Sequence, residues 1–295
     1  MITPKITNLG YSNLWTDMST ILGYASNFQK LITKLFANGE QGFFYDPSDM
    51  GTMFQDAAGT IPVTATGKSV GLVLDKSKGL GLGGELNTGA WNLTSSWTIT
   101  NGIATHAVGA TGSCNLGGAV LGKWYKYRAR VVNRSGSFLI ACNSNIVINI
   151  NTPSDKIYDI YATSSVGGNG RLIDFYAQSN FDGDVYVSEV SVKEIRGNHA
   201  YQTTSSMRPL LVAAPQRLDY DTVDDKLITN LPTQLTGCTV VRSVPNIGTQ
   251  ILTNQTIPTP YNDNIDNCGL IVINRALTAS ETNQITKLFN KSAGV

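Results

Sequence analysis

Up to Asn38 the apolar residues follow a spacing that the rest of the chain abandons. Leu14, Met18, Ile21, Ala25, Phe28, Ile32 and Leu35 recur at alternating intervals of four and three, the a/d pattern of a helix that buries one seam. Asn13 fits its N-cap, and Asn38-Gly39 supplies a left-handed stop. The period lies nearer 3.5 than 3.6 residues, so the pattern predicts an oligomerising helix. Leu22, Tyr24, Leu31 and Phe36 widen the stripe beyond a two-stranded seam. A homotrimer, or a helix also docked on a neighbouring protein, is the expectation. The same stripe would also serve an ordinary amphipathic helix lying on the protein's own sheet.

From Gly42 onward the period shortens to two. Alternating or β-branched runs stand between Gly, Asn, Ser and Asp turns: Ile61–Thr66, Val70–Leu74, Trp97–Thr100, Tyr125–Val132, Ile146–Ile150, Ile157–Tyr161, Val185–Val192, Cys238–Arg242 and Gly269–Ile273. Strands at this density predict a mainly β chain of sandwich or jelly-roll domains. Only the C-terminus returns to helix: Thr278 and Glu281 form an S/T-x-x-E box ahead of Ile285, Leu288 and Phe289.

Composition narrows the function classes. Charged residues are 15% of the 295 and the net charge is +1, which argues against a nucleic-acid partner. A 41% hydrophobic share is enough to bury a core. Met1–Gly10 has no apolar h-region, and no run approaches the ~18 apolar residues of a membrane span. Synthesis and assembly in a cytoplasm, without membrane insertion, are expected. Cys114, Cys142, Cys238 and Cys268 show no CxxC pairing and read as small buried hydrophobes, with a disulfide or metal role as the alternative.

Gly42–Gly79 (GFFYDPSDMGTMFQDAAGTIPVTATGKSVGLVLDKSKG), GNHAYQ at Gly197–Gln202, RPLL at Arg208–Leu211, LDYDTVDDKL at Leu218–Leu227 and CGLIVINRALTASE at Cys268–Glu281 together resemble a module of phage tail and tail-fibre proteins. In those relatives the DKSG-like segment runs directly into GNHAxQ, so the module here looks split by an insertion. It resembles a shortened concanavalin-A/laminin-G sandwich, and its shortness leaves room for neighbouring protomers to complete it. The insert, with Trp91, Trp97, GKWYKYRARVVN (Gly122–Asn133) and FDGDVYVSEVSVKEI (Phe181–Ile195), resembles carbohydrate-binding jelly rolls. The expected organisation is a helix over 1–41, a discontinuous scaffold over 42–83 and 197–295, and an insert over 84–196. The resemblance implies a virion protein of tail, collar or baseplate fibre type, with other virion proteins and a host cell-surface glycan as partners. A purely architectural or decoration role is the alternative.

Within the insert, alternation places Tyr125, Tyr127, Ala129 and Val131 on one face. Trp124, Lys126, Arg128 and Arg130 fall on the other, as an aromatic plate with three cations suited to a sugar ring and an anionic group on it. A solvated face with a stray Trp is the bland reading of the same residues. Asp182, Asp184 and Glu189 are candidates for a structural calcium ion, against a plain turn; Asp219, Asp221, Asp224 and Asp225 read as a turn between strands. No cofactor is otherwise expected. His106 and His199 stand in no metal-ligand spacing, and no GxSxG or GxxxxGK[ST] occurs. GLGLGG at Gly79–Gly84 lacks a following helix pattern and reads as a flexible linker. The chain is expected not to be an enzyme. Carboxylate pairs for glycan hydrolysis leave no trace in sequence, but no 20–25-residue β-helix repeat is present.

Overall fold

The computed structural model describes residues 28–164 and 168–295. The chain is mainly β, with antiparallel pairing throughout and helices at the two ends of the described residues. Every strand from Leu82 to Ile195 pairs only within that range, and the flanking strands pair only with one another. This gives a scaffold and an insert.

In the insert, Trp124–Ser135 is the axis of a seven-stranded sheet. Ser154–Thr163 flanks it on one side; Ser191–Ile195 and then Asp182–Val185 follow one another along the other. A five-stranded sheet, in the order Asn145–Ile150, Phe138–Cys142, Arg171–Ala177, Gly112–Gly117, Asn92–Leu93, packs on it. Tyr125, Tyr127, Ala129 and Val131 point between the sheets, as their alternation requires, against Phe138, Ile140, Phe175 and Phe181. The entry segment differs from expectation. Leu82–Glu85, at the end of the glycine-rich run, is a strand that pairs with the exit strand Ser191–Ile195. The glycines expose backbone for the ladder, so the insert enters and leaves through a hydrogen-bonded neck. Val185–Val192 is also not one strand: residues Val187–Glu189 form a 3-10 turn.

The scaffold is layered. Gly42–Tyr45, Leu270–Ile273, Leu235–Val244 and Gly248–Ile257 form a four-stranded sheet in that order. Its inner residues Phe43, Tyr45, Val240 and Val272 pack on Met53, Val73, Ala200, Leu211 and Leu227 from two smaller sheets. The layers pack on one another within one chain. Ile61–Thr66 contributes only a single bridge at Pro62 rather than a strand.

The outer face of the four-stranded sheet presents Phe44, Val241, Ile271 and Ile273 and must also be covered. Two helices cover it. Ala279–Ala293 carries the expected reciprocal Thr278/Glu281 capping box and buries Ile285 and Phe289. Beside it lies the helix over residues 28–35, whose Phe28, Ile32 and Leu35 are buried together with Leu31 and Phe36 in the same cluster. This corrects the oligomerisation reading for Phe28, Ile32 and Leu35: the seam they form faces their own chain. A 3.5-residue stripe fits a private sheet as well as another helix, and here the uncovered sheet face takes it. Leu14, Met18, Ile21 and Ala25 lie outside the described residues.

The two sequence segments that flank the insertion meet in a buried clasp. Asp75 accepts from Phe44 N (2.8 Å), Ser77 N (2.8 Å), Ser77 Oγ (3.0 Å) and Asn198 N (2.7 Å). Its own N–H donates to His199 Nδ1 at 2.8 Å, and Asn198 Nδ2 donates to Gly42 O. Gly197 has φ +133, and a Cβ there would sit 2.9 Å from Asp75 Oδ2, so glycine is required. DKS and GNH are thus the two halves of one hydrogen-bonded joint that closes the scaffold behind the insert.

Candidate functional site

Trp124, Lys126, Arg128 and Arg130 do share one face of their strand, but they do not form one surface. Arg128 and Arg130 meet carboxylates of the adjacent strand: Arg128 Nη1 lies 2.9 Å from Asp159, and Arg130 engages both oxygens of Asp155 at 3.0 and 2.9 Å. The Arg130 guanidinium also lies 4.2 Å from the centroid of Tyr186, and Lys126 Nζ lies 5.6 Å from that of Tyr161. The arginines are already neutralised.

Trp124 is 2% exposed, which corrects its reading as an exposed stacking plate. It stands at the neck, paired across to Thr163 and Ile195, where the scaffold arrives. Leu72, Leu74 and Ile195 pack around it, with the rings of His199 and Tyr201 edge-on at 5.1 and 5.6 Å. Burial pushes His199 down to about 3, so its imidazole is neutral. With Nδ1 accepting from Asp75, the proton is on Nε2. That Nε2 and Trp124 Nε1 are both buried without a hydrogen-bond partner.

Asp182 and Asp184, weighed as calcium ligands or a plain turn, meet an arginine. Arg134 reaches Asp182 Oδ1 at 2.9 Å and Asp184 Oδ2 at 2.6 Å, and Thr105 donates to Asp184 at 2.7 Å. An arginine supplies the positive charge these carboxylates need, while Glu189 sits in the exposed 3-10 turn. Asp221, Asp224 and Asp225 bring one carboxylate oxygen each within 4.8 Å of one another. Asp221 Oδ1 is spent on the N–H groups of Val223, Asp224 and Asp225, the turn that the sequence suggested. All four cysteines are buried and unpaired.

A cavity of about 470 Å³ opens where insert meets scaffold. The insert gives Trp124, Ser144–Val147 and Tyr161–Thr163 to its wall; the scaffold gives Ala57, Ala58, Tyr201, Thr203 and Ile228. None of these is an acid, a base or a histidine. One lip is the two-residue turn Asn143-Ser144, with φ of 46° and 72°. Both residues are left-handed, the geometry that matches strand twist. Asn143 fixes this lip by accepting from Gly170 N at 2.7 Å and donating its own N–H to Arg171 O at 2.8 Å. Sequence reading missed the cavity because its wall comes from six separated segments. Its one visible sign was Trp124, placed at the end of a strand whose face otherwise turns to water.

Among the described residues no helix is long and apolar enough to cross a membrane. No family model matches the chain, and neither a curated protein nor a solved structure does.

Proposed function

We propose that this protein is a non-enzymatic structural component of a bacteriophage virion, of tail, collar or baseplate fibre type, that presents its insert for recognition of a host-surface glycan. The observation that carries this reading is the architecture: a sandwich with its own apolar core, entered and left through one paired neck on a scaffold closed by a separate clasp. That arrangement suits display, because a unit joined at neighbouring surface points projects without disturbing its host. The resemblance of the scaffold segments to phage tail modules, and of the insert to carbohydrate-binding jelly rolls, supplies the setting. In this reading Leu14, Met18, Ile21 and Ala25 carry self-association into a trimer, and the helix beyond them ties that stalk to the scaffold. Valency then raises weak single-site binding by roughly 10²–10⁴ when geometry permits.

The architectural alternative draws on the pairing of Arg128 with Asp159 and Arg130 with Asp155, which occupies both arginines of that face. An array of bacterial envelope glycans probed with the full chain separates the two. Selective retention of a glycan supports display for attachment. Uniform failure across the array hands the protein to the architectural role.

A further inference from the structure

We infer that the cavity between insert and scaffold is the ligand site, and that it takes an uncharged sugar ring held between the two units. This rests on the glycan-binding reading above and narrows it to one place and one chemical class. The class follows from the wall. Tyr201 and the edge of Tyr161 offer aromatic surface, and Ser144, Thr163 and Thr203 offer hydroxyls. A pyranose has the matching shape: C–H faces that pack on rings and hydroxyls around its edge.

An ionised ligand does not match. The wall contains no charged side chain, so a carboxylate or phosphate would give up its hydration with nothing to replace it. Two cations nearby are neutralised by carboxylates, Lys123 by Glu194 at 2.6 Å and Arg128 by Asp159, and Lys126 lies over the Tyr161 ring without lining the cavity itself. The volume lies within the roughly 300–1,000 Å³ of small-molecule sites, enough for one or two rings. Trp124 closes the floor of the cavity from beneath, packed by Leu72, Leu74 and Ile195.

The site also has a consequence that a pocket within one sheet would lack. A ligand here touches Ser144 and Thr163 of the insert and Tyr201 and Thr203 of the scaffold, so occupancy fixes the insert on its support. Binding should therefore slow amide exchange in residues 144–147 and 201–203 together.

The test titrates the full chain with methyl glycosides of neutral hexoses and N-acetylhexosamines, and in parallel with those of glucuronic and sialic acid, by ligand-observed NMR and calorimetry. Neutral glycosides should bind, with acidic ones weaker by about tenfold or more. Thr203 is exposed, so Thr203→Trp should fill the mouth while preserving the melt, and should weaken binding by at least about tenfold. Tyr161→Ala should weaken it by about 3- to 10-fold through lost stacking, with Thr203→Trp standing in if that variant fails to fold. Arg128→Ala should leave binding unchanged. A preference for acidic sugars, or full binding by Thr203→Trp, overturns this site while leaving glycan display intact. No binding of any glycoside or array glycan overturns both.

Discussion

Insert and scaffold solve the same problem, a stable antiparallel β fold, but bury charge to different degrees. The insert has long strands, 12 residues in Trp124–Ser135 and 10 in Ser154–Thr163, around a core of aromatic and aliphatic side chains. Most of its ion pairs, among them Arg128–Asp159, Arg130–Asp155 and Arg134–Asp182, lie at the surface, and Arg171 reaches a buried Asp174 from a partly exposed position. In the scaffold's two smaller sheets every strand has only two or three residues, too short for the ladder alone to fix their register. The scaffold also carries charges inside. Asp75 ties both flanks of the insertion, and Arg242 Nη2 lies 2.9 Å from Asp263, with side chains only 6% and 2% exposed. Tyr220 and Asn267 complete the Asp263 shell at 3.0 and 2.9 Å. Exposed pairs contribute little and register the surface; buried ones are costly to break because the surviving partner is left stranded.

That contrast can be broken experimentally, most severely at the N-terminal helix. Deleting residues 1–36 strips Phe28, Leu31, Ile32, Leu35 and Phe36 from the core. At about 1.5–3 kcal/mol each, their loss rivals the whole stability of a domain. No cooperative melt of the scaffold should survive, whereas deletion of 1–27 should preserve it. Similar melts for both truncations would show that the helix is not part of the core. Asp263→Ala comes next. It leaves Arg242 buried and uncompensated and should cost about 3–5 kcal/mol in denaturant unfolding. A loss below about 1 kcal/mol would place the pair in water-like surroundings.

The clasp should show in the pH dependence of stability. Burial pushes Asp75 up from 3.8 to about 6, against the donors that hold its anion. Its folded form prefers the proton, so its contribution is full below 3.8 and is lost as pH rises through 6. Burial pushes His199 down from 6.5 to about 3. Its contribution is full above 6.5 and is lost progressively as pH falls below that value towards 3. Between about pH 4 and 6 the two slopes oppose each other, near one proton each. Asp75→Asn should therefore lose about 1.4 kcal/mol more than the wild type for each unit of acidification in that window. Parallel slopes would contradict the clasp. The smallest effect is expected outside: a double-mutant cycle on Arg128 and Asp159 should return less than about 1 kcal/mol, and less again in high salt.

Much of this contrast was legible in the residues, and the misses share one cause. Alternation fixed which side chains of Trp124–Ser135 face the core, and the Thr278/Glu281 box located the last helix. Both are local signals. What patterning cannot carry is the identity of the covering element. It put Trp124 on the outer face without revealing that Leu72, Leu74 and His199 would lie over it. It read a heptad seam in Phe28, Ile32 and Leu35 without knowing that a bare sheet face awaited them. The ion pairs of Asp182 and Asp184 went unread because Arg134 is remote in sequence. The strand Gly248–Ile257 went unread because GTQILTNQTI is largely polar and lies at a sheet edge.

The central claim is that recognition requires the insert seated on its scaffold, and excising the insert tests it most directly. A chain in which residues 82–195 are replaced by a short Gly-Ser bridge keeps the clasp of Asp75, Asn198 and His199 and the core behind it. It should retain a cooperative melt and lose every glycan that the full chain retains on the array. Undiminished glycan retention by the excised chain would contradict the account.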